Sequence, residues 1–272
     1  MYSDLATIDE SGVSHSRYAT YSHETDRYGR SRLSFYFSII QEAAGLHAAM
    51  RGLSITAMQE EGKTWVITRN KVEVQRWARW GEVINVKTWA AKPVRLHMPR
   101  IIEGYDRDGV LLFRSTTLWA ILDVESGRPQ RPEGYSARMI LPADDDERHP
   151  TAVAIPKPIR KDEGLVVVGR STVVPTYDDT DRNRHVNNIV YLNWALGSLP
   201  ALFRDQYNTR SIDASYLRQT FLDDELTALT WAAGEAVFTQ DEPTLFHQII
   251  RGDDEVVWQA HSLWQKREAF RA

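Results

Sequence analysis

The chain has 272 residues, of which 42% are apolar and 26% charged, with a formal net charge of −4. That length accommodates two ordinary domains, and the charge gives no reason to expect a nucleic-acid partner. Cysteine is absent, which excludes disulfides, thiolate metal sites and a cysteine nucleophile and agrees with a reducing compartment. The first eighteen residues lack the apolar core of a signal peptide, and their acids argue against a transit peptide. No apolar run approaches the roughly 20 residues that span a bilayer. The expectation is a cytoplasmic protein with no membrane segment.

Along the chain, an extended segment leads to Thr25-Asp26-Arg27. A helix follows, because Leu33, Tyr36, Phe37, Ile40 and Ala44 keep the three-and-four spacing of one apolar face. Strands are predicted next over "WVITRNKVEV", "EVINVKTWAA" and "VLLFRSTTLWAIL". From Gly127 to Gly164, six prolines and the acidic run Asp144 to Glu147 have linker composition. Then the order repeats. A helix carries Tyr191, Trp194, Ala195 and Leu199, and strands follow over "ELTALTWAA", "TLFHQII" and "EVVWQAHSLW".

The repetition extends to residues. Lys71 to Lys92 lies over Asp213 to Gly234 without a gap, and both segments carry Thr-Trp-Ala-Ala, at Thr88 and at Thr230. "DGVLLFRSTTLW" matches "DDEVVWQAHSLW", and Thr25-Asp26-Arg27 matches Thr180-Asp181-Arg182. Three matches in the same order imply two copies of one α+β unit, each a long helix against an antiparallel sheet. The expected boundaries are 1–135 for the first copy, 136–164 for a linker and 165–272 for the second.

The densest cluster of functional side chains is "DDTDRNRHVNN", Asp178 to Asn188. It begins like a calcium loop, but Arg184 stands where the turn glycine should be and Val190 where the closing glutamate should be. As plain structure, Asn187 or Asn188 would cap the helix that follows. Comparison of the copies adds chemistry. Asp181 has a counterpart in Asp26, whereas Asn183 and His185 face Tyr28 and Arg30, which points to one functional and one degenerate site. His185 can act as a general base near neutral pH. Asp181 can attack or orient a water, and Asn183 can hold that water or the imidazole. The N–H groups at Asn187 and Asn188 can take up developing negative charge. The set suits hydrolysis of an activated acyl group.

"TDRNRHVNNIVYLNW" resembles the aspartate–asparagine–histidine motif of the acyl-acyl-carrier-protein (acyl-ACP) thioesterases. "LSFYFSIIQEAAGLHAAMRG", "GKTWVITRNKVEVQRWARWGEVINVKTW" and "FRSTTLWAILDVESGRPQRP" resemble that family's first domain. The resemblance runs over nearly the whole chain. It implies a tandem double hotdog fold, an N-terminal unit that holds the acyl chain, and no cofactor. It places the catalytic set on Asp181, Asn183 and His185. It also asks for a glutamate farther on; alignment on Tyr216 puts Gln219 there, and the next position, a cysteine in plant members, is Thr220.

The acyl carrier protein and its acyl chain are the expected partners, and Arg69, Lys71, Arg76 and Arg79, with Arg182 and Arg184, offer a basic face for that acidic protein. Pairing with a second copy of the chain is left open. Trp65, Trp77, Trp80, Trp89 and Trp119 read as core aromatics before tunnel lining. His47, His97, His247 and His261 read as structural, with no metal site. "GKT" at Gly62 lacks the glycine a phosphate loop needs at Ala57 and reads as a turn into a strand. The alternatives to an acyl-ACP thioesterase are an acyl-CoA thioesterase of the same fold, or a non-catalytic acyl-thioester binding module for which Gln219 speaks.

Overall fold

The computed structural model describes residues 2–267. The chain forms two compact units, Met1–Lys157 and Pro158–Ala272. In the first, β1 (Ala6–Ile8) and β2 (Ser14–Ala19) precede the long helix α1 (Leu33–Met50) and the short α2 (Ile55–Glu60). Then come β3 (Lys63–Val74), β4 (Val83–Ala90), β5 (Met98–Tyr105), β6 (Leu111–Asp123), β7 (Pro129–Gln130) and the single turn α3 (Glu133–Ser136). The sheet is antiparallel in the order β1-β2-β4-β5-β6-β3, with β7 added on β6.

Helix α1 lies against β2, β4 and β5. Its predicted apolar face is buried, and so are Phe35, Ile39, Ala43, Leu46 and His47. A helix buried on so much of its circumference is one the sheet curves around, not one resting on a surface. Each large side chain enclosed this way contributes roughly 1.5–3 kcal/mol. The helix ends in a Schellman motif: Leu53 N–H donates to Ala48 O, Gly52 N–H donates to Ala49 O, and Gly52 has φ 68.

The second unit repeats the plan with β8 (Val166–Val173), α4 (Asn188–Gly197), α5 (Ala201–Gln206), β9 (Tyr207–Tyr216), β10 (Leu226–Ala232), β11 (Thr244–Arg251) and β12 (Glu255–Lys266). Its strand order is β9-β12-β11-β10-β8, the first unit's β3-β6-β5-β4-β2 over again. Helix α4 packs on β8, β10 and β11, the counterparts of the strands under α1. At Gly169 in β8 a Cβ would lie 2.4 Å from the carbonyl oxygen of Ser198, just past α4, so only glycine lets helix and strand approach this closely.

The proline-rich segment is not a free tether. Met139 and Thr151 are buried, Trp89 Nε1 donates to Pro150 O, and Lys92 N–H donates to Thr151 O, all within the first unit. Beyond it, Gln259 Nε2 donates to Ile159 O, His261 Nε2 lies 3.0 Å from Arg160 O, and Lys161 Nζ sits 3.7 Å over the Trp231 ring. Past β7 the segment has no ladder pairing among the described residues up to β8, in keeping with its prolines, but its apolar and carbonyl groups still pack. Trp89 is fully buried as expected of a core aromatic, whereas Trp80 is 70% exposed. Gly62 turns the chain into β3 with φ 69.

Candidate active site

The turn carrying the motif is built twice on the same set of backbone, threonine and aspartate bonds. In the first unit a 3-10 turn, Ser22–Glu24, is closed by Thr25, whose Oγ1 donates to Ser22 O at 2.7 Å. In the second, Tyr177–Asp179 is closed by Thr180 Oγ1 donating to Tyr177 O, also at 2.7 Å. Asp26 N–H donates to Arg30 O, and Asp181 N–H to His185 O. Asp26 Oδ1 accepts from Tyr28 N at 2.8 Å and Arg30 N at 3.1 Å. Asp181 Oδ1 accepts from Asn183 N at 2.8 Å and His185 N at 3.3 Å. The left-handed residue is Gly29 (φ 71) in one turn and Arg184 (φ 60) in the other. Since the first unit's turn keeps the aspartate and both of these amide bonds although it lacks the asparagine and histidine, the first role of Asp181 is to anchor the turn, an Asx turn closed at both amides. The nucleophilic role considered for it has one carboxylate oxygen already committed.

What differs between the copies is what the turn presents. His185 is half-buried, and its ring meets Phe221 edge-on with centroids 5.2 Å apart. Among the described residues its nitrogens have no hydrogen-bond partner. Phe221 is 46% exposed and belongs to the loop between β9 and β10, which the turn grips through Val186 N–H donating to Thr220 O. Thr220 is fully buried, its hydroxyl 2.6 Å from that of Tyr191 on α4, so it acts as a tie between helix and loop. Gln219 is exposed and lies in this loop, three residues beyond the end of β9 and not on a strand. Its carbonyl accepts from Arg251 Nη1 at 3.2 Å; its side-chain amide bonds to no described residue.

Arg251 sets the loop's shape. Its Nη1 also donates to Asp224 at 2.9 Å and its Nη2 to Glu255 at 2.7 Å, while Asp224 accepts from Phe221 N. The first unit has the mirror arrangement: Arg76 in the loop bridges Glu82 and Asp106, each at 2.9 Å. Duplication has kept the clamp and swapped the ends of its charges. Sequence reasoning missed Arg251 and Phe221, although aligning the copies puts Asp224 on Glu82 and Arg251 on Asp106.

At the helix, Asn187 is the N-cap, its Oδ1 accepting from Ile189 N at 3.0 Å. Asn187 N–H donates to Asp179 O, and Val190 N–H to Asn187 O. The expectation that Asn187 offers its N–H to an oxyanion therefore fails, because a backbone carbonyl already holds it. Asn188 begins the helix, and its carbonyl accepts from Tyr216 Oη at 3.2 Å. Burial pushes the Tyr216 phenol well above its ordinary range, which keeps it a donor.

The basic face separates into parts. Arg69 is 8% exposed and donates to Lys157 O, and Arg76 is consumed by its two carboxylates. Arg69 is turned into the fold, whereas Arg76 keeps a side chain 37% exposed with both acids bridged to it. Lys71 is exposed and paired with Glu73 at 2.7 Å. Arg79, Arg182 and Arg184 are exposed. Among the described residues no group of three or more His, Cys, Asp or Glu is placed to hold a metal ion, and no helix is long and apolar enough to cross a membrane.

Comparison with known proteins bears on the same two units. Residues 12–134 match the model of the acyl-ACP thioesterase N-terminal domain, and residues 168–266 that of the acyl-ACP thioesterase C-terminal domain. The chain belongs to the acyl-ACP thioesterase family. It is 24% identical over 293 residues to an oleoyl-acyl carrier protein thioesterase of Arabidopsis thaliana, covering 97% of this chain and 79% of that one. It is 28% identical over 212 residues to an Arabidopsis thaliana palmitoyl-acyl carrier protein thioesterase, covering 72% of this chain and 49% of that one. The fold of this thioesterase is shared with an acyl-ACP thioesterase from Bacteroides thetaiotaomicron at TM-score 0.80 and 22% identity, over 95% of this chain and 100% of the other. The 12:0-ACP thioesterase from Umbellularia californica aligns at TM-score 0.79 and 22% identity, over 96% and 100%.

Proposed function

We propose that this thioesterase hydrolyses fatty acyl-ACP at the second unit's turn, with His185 as general base and the first unit's turn as its non-reacting twin. The observation that carries the assignment is that both turns keep the same backbone and aspartate hydrogen bonds, while Asn183 and His185 stand only in the second. Asp181 is a positioning residue: its Oδ1 fixes the amides of Asn183 and His185 and so the direction of both side chains. Asn183 holds the attacking water through its amide. The water oxygen adds to the thioester carbonyl carbon while its proton passes to His185. The carbonyl becomes an oxyanion at the positive end of α4, at Asn188. As the oxyanion collapses, the C–S bond breaks, and His185 returns the proton to the departing thiolate. Free fatty acid and the carrier's thiol result.

Gln219 stands where the family pattern has a glutamate; an amide there orients water but takes no proton. Arg182 and Arg184, exposed on the reacting turn, suit an acidic carrier. A chain without cysteine suits a reducing compartment, and this reading places the reaction in the cytoplasm. The test is release of free fatty acid from matched acyl-ACP and acyl-CoA panels. A clear preference for acyl-ACP, weakened in Arg182→Glu with Arg184→Glu, supports the reading. Preference for acyl-CoA makes the chain a CoA thioesterase of the same fold, and release from neither leaves only a binding module.

A further inference from the structure

The core of the first unit holds a cluster of cations and N–H donors with no acid among them. Arg100 on β5 is 5% exposed and His47 on α1 is fully buried. Arg100 Nη1 lies 2.7 Å from His47 Nδ1 and 3.3 Å from Thr88 Oγ1. A guanidinium can only donate, so Nδ1 is the acceptor and the imidazole's own proton sits on Nε2. That Nε2–H is sealed from solvent without a partner, and so is the Nε of Arg51, one turn farther along the chain. Among the described residues Arg100 forms no ion pair, and its Nε and Nη2 donate to nothing. Burial alone lowers Arg100 to about 10, with no acid to hold it up. Burial, then Arg100 and Arg51, drive His47 down to about 2.

Buried charges in folded proteins are paired or bound to a ligand, since a lone one keeps its desolvation cost. Here even the more exposed Arg76, Arg114 and Arg251 have carboxylates, and the most deeply buried arginine has none. The unsatisfied groups around it are all donors, so the missing partner is an acceptor with negative charge. Ala90, cross-strand neighbour of Arg100, and Ala48, next to His47, belong to one apolar cluster with Met98, which suits an aliphatic chain. We propose that the core of the first unit binds a carboxylate carried on an aliphatic chain, seated on the Arg100 guanidinium with His47 Nε2–H as a further donor. Two sources share this chemistry: the carboxyl of a free fatty acid, and the far-end carboxyl of a dicarboxylic acyl chain. Only the second rests on the acyl-ACP thioesterase reading above.

Binding is read on the intact parent chain, since neither a free carboxylate nor an alcohol carries a thioester to hydrolyse. By calorimetry, dodecanoate should bind about 10-fold or more tightly than dodecanol, as one charge-assisted contact provides. Arg100→Gln should erase the difference, and Arg100→Lys should keep part of it. If Arg100→Gln does not fold, His47→Leu is the substitute and should reduce the dodecanoate preference. Equal binding of acid and alcohol, or a preference that survives Arg100→Gln, overturns the proposal. Sources are separated on the active chain: faster hydrolysis of acyl-ACP with a terminal carboxyl than of its methyl-ended equivalent selects the dicarboxylic chain. Competitive inhibition by dodecanoate without that rate preference selects the free acid. Loss of hydrolysis in every assay with dodecanoate binding intact would sink the enzymatic reading and leave this one standing.

Discussion

Replacing Asp26 and Asp181 in parallel separates scaffold from chemistry. Each carboxylate accepts two backbone N–H groups, at 2.8 and 3.1 Å in the first unit and 2.8 and 3.3 Å in the second. A hydrogen bond to a charged group contributes roughly 1.5–3 kcal/mol, and partial exposure of the turn lowers that to about 1 kcal/mol each. Asp26→Ala and Asp181→Ala should therefore each cost about 2 kcal/mol. At roughly 4 °C per kcal/mol for units of this size, that is a fall in Tm of about 8 °C. Asn in either position keeps an acceptor oxygen and should keep most of the stability. Tm is read by calorimetry and turnover by release of free fatty acid from acyl-ACP. Asp181→Ala should lose both, Asp26→Ala should lose stability with turnover retained at low temperature, and Asp181→Asn should keep substantial turnover. The anchoring role is refuted if Asp181→Ala and Asp26→Ala melt like the parent. If Asp181→Asn melts normally yet is as inactive as His185→Ala, the aspartate reacts directly.

Arg184 holds φ 60 where the first unit has Gly29, so Arg184→Gly should raise stability by about 1 kcal/mol; a fall in Tm would show that its side chain is needed. Burial lowers His47 to about 2 and His247 to about 3, against about 6.5 unfolded. The unfolded chain then binds more protons below pH ~6.5, so the stability contributed by each neutral histidine is complete above that pH and lost as pH falls toward the folded values. Urea melts should show about 1.4 kcal/mol lost per histidine per pH unit below ~6, reduced in His247→Gln; a flat profile from pH 7 to 5 contradicts this. Gln219→Glu should raise kcat by about 10-fold, by adding a proton acceptor to the loop, and add an acidic limb to the pH–rate profile. Unchanged kcat would remove position 219 from the chemistry.

Much of the fold could be read from the chain, because α1 and six of the strands carry apolar spacing that burial demands. Strand β5 could not: "MPRIIEGY" is buried on both faces except at its last residue, and Arg100, Glu103 and Pro99 break the alternation that marks a half-buried strand. The segment expected as a linker, 136–164, contains the boundary between the units at Lys157 and Pro158; its packing could not be read, because proline reports missing ladder bonds and says nothing of contacts. At the site, duplication exposed the turn and set Asp181 apart as shared by both copies, while its chemistry and the family motif gave it a catalytic role; the bonds of Asp26 show that it is scaffold first. Arg69 and Arg76 read as surface cations because nothing local reveals their partners, Lys157, Glu82 and Asp106. For the same reason Phe221 was invisible beside His185: a ring contact made by a loop thirty-odd residues away leaves no periodic trace.

The central claim is that one half of a duplicated fold reacts and that His185 is what reacts in it. Its most direct test is the rate of fatty acid release from acyl-ACP by the parent chain, His185→Ala and Arg30→Ala, the last altering the matching position of the silent turn. His185→Ala should fall by about 100-fold or more at unchanged Tm, while Arg30→Ala stays within about twofold. Retained turnover in His185→Ala, or equal loss in both, would contradict it.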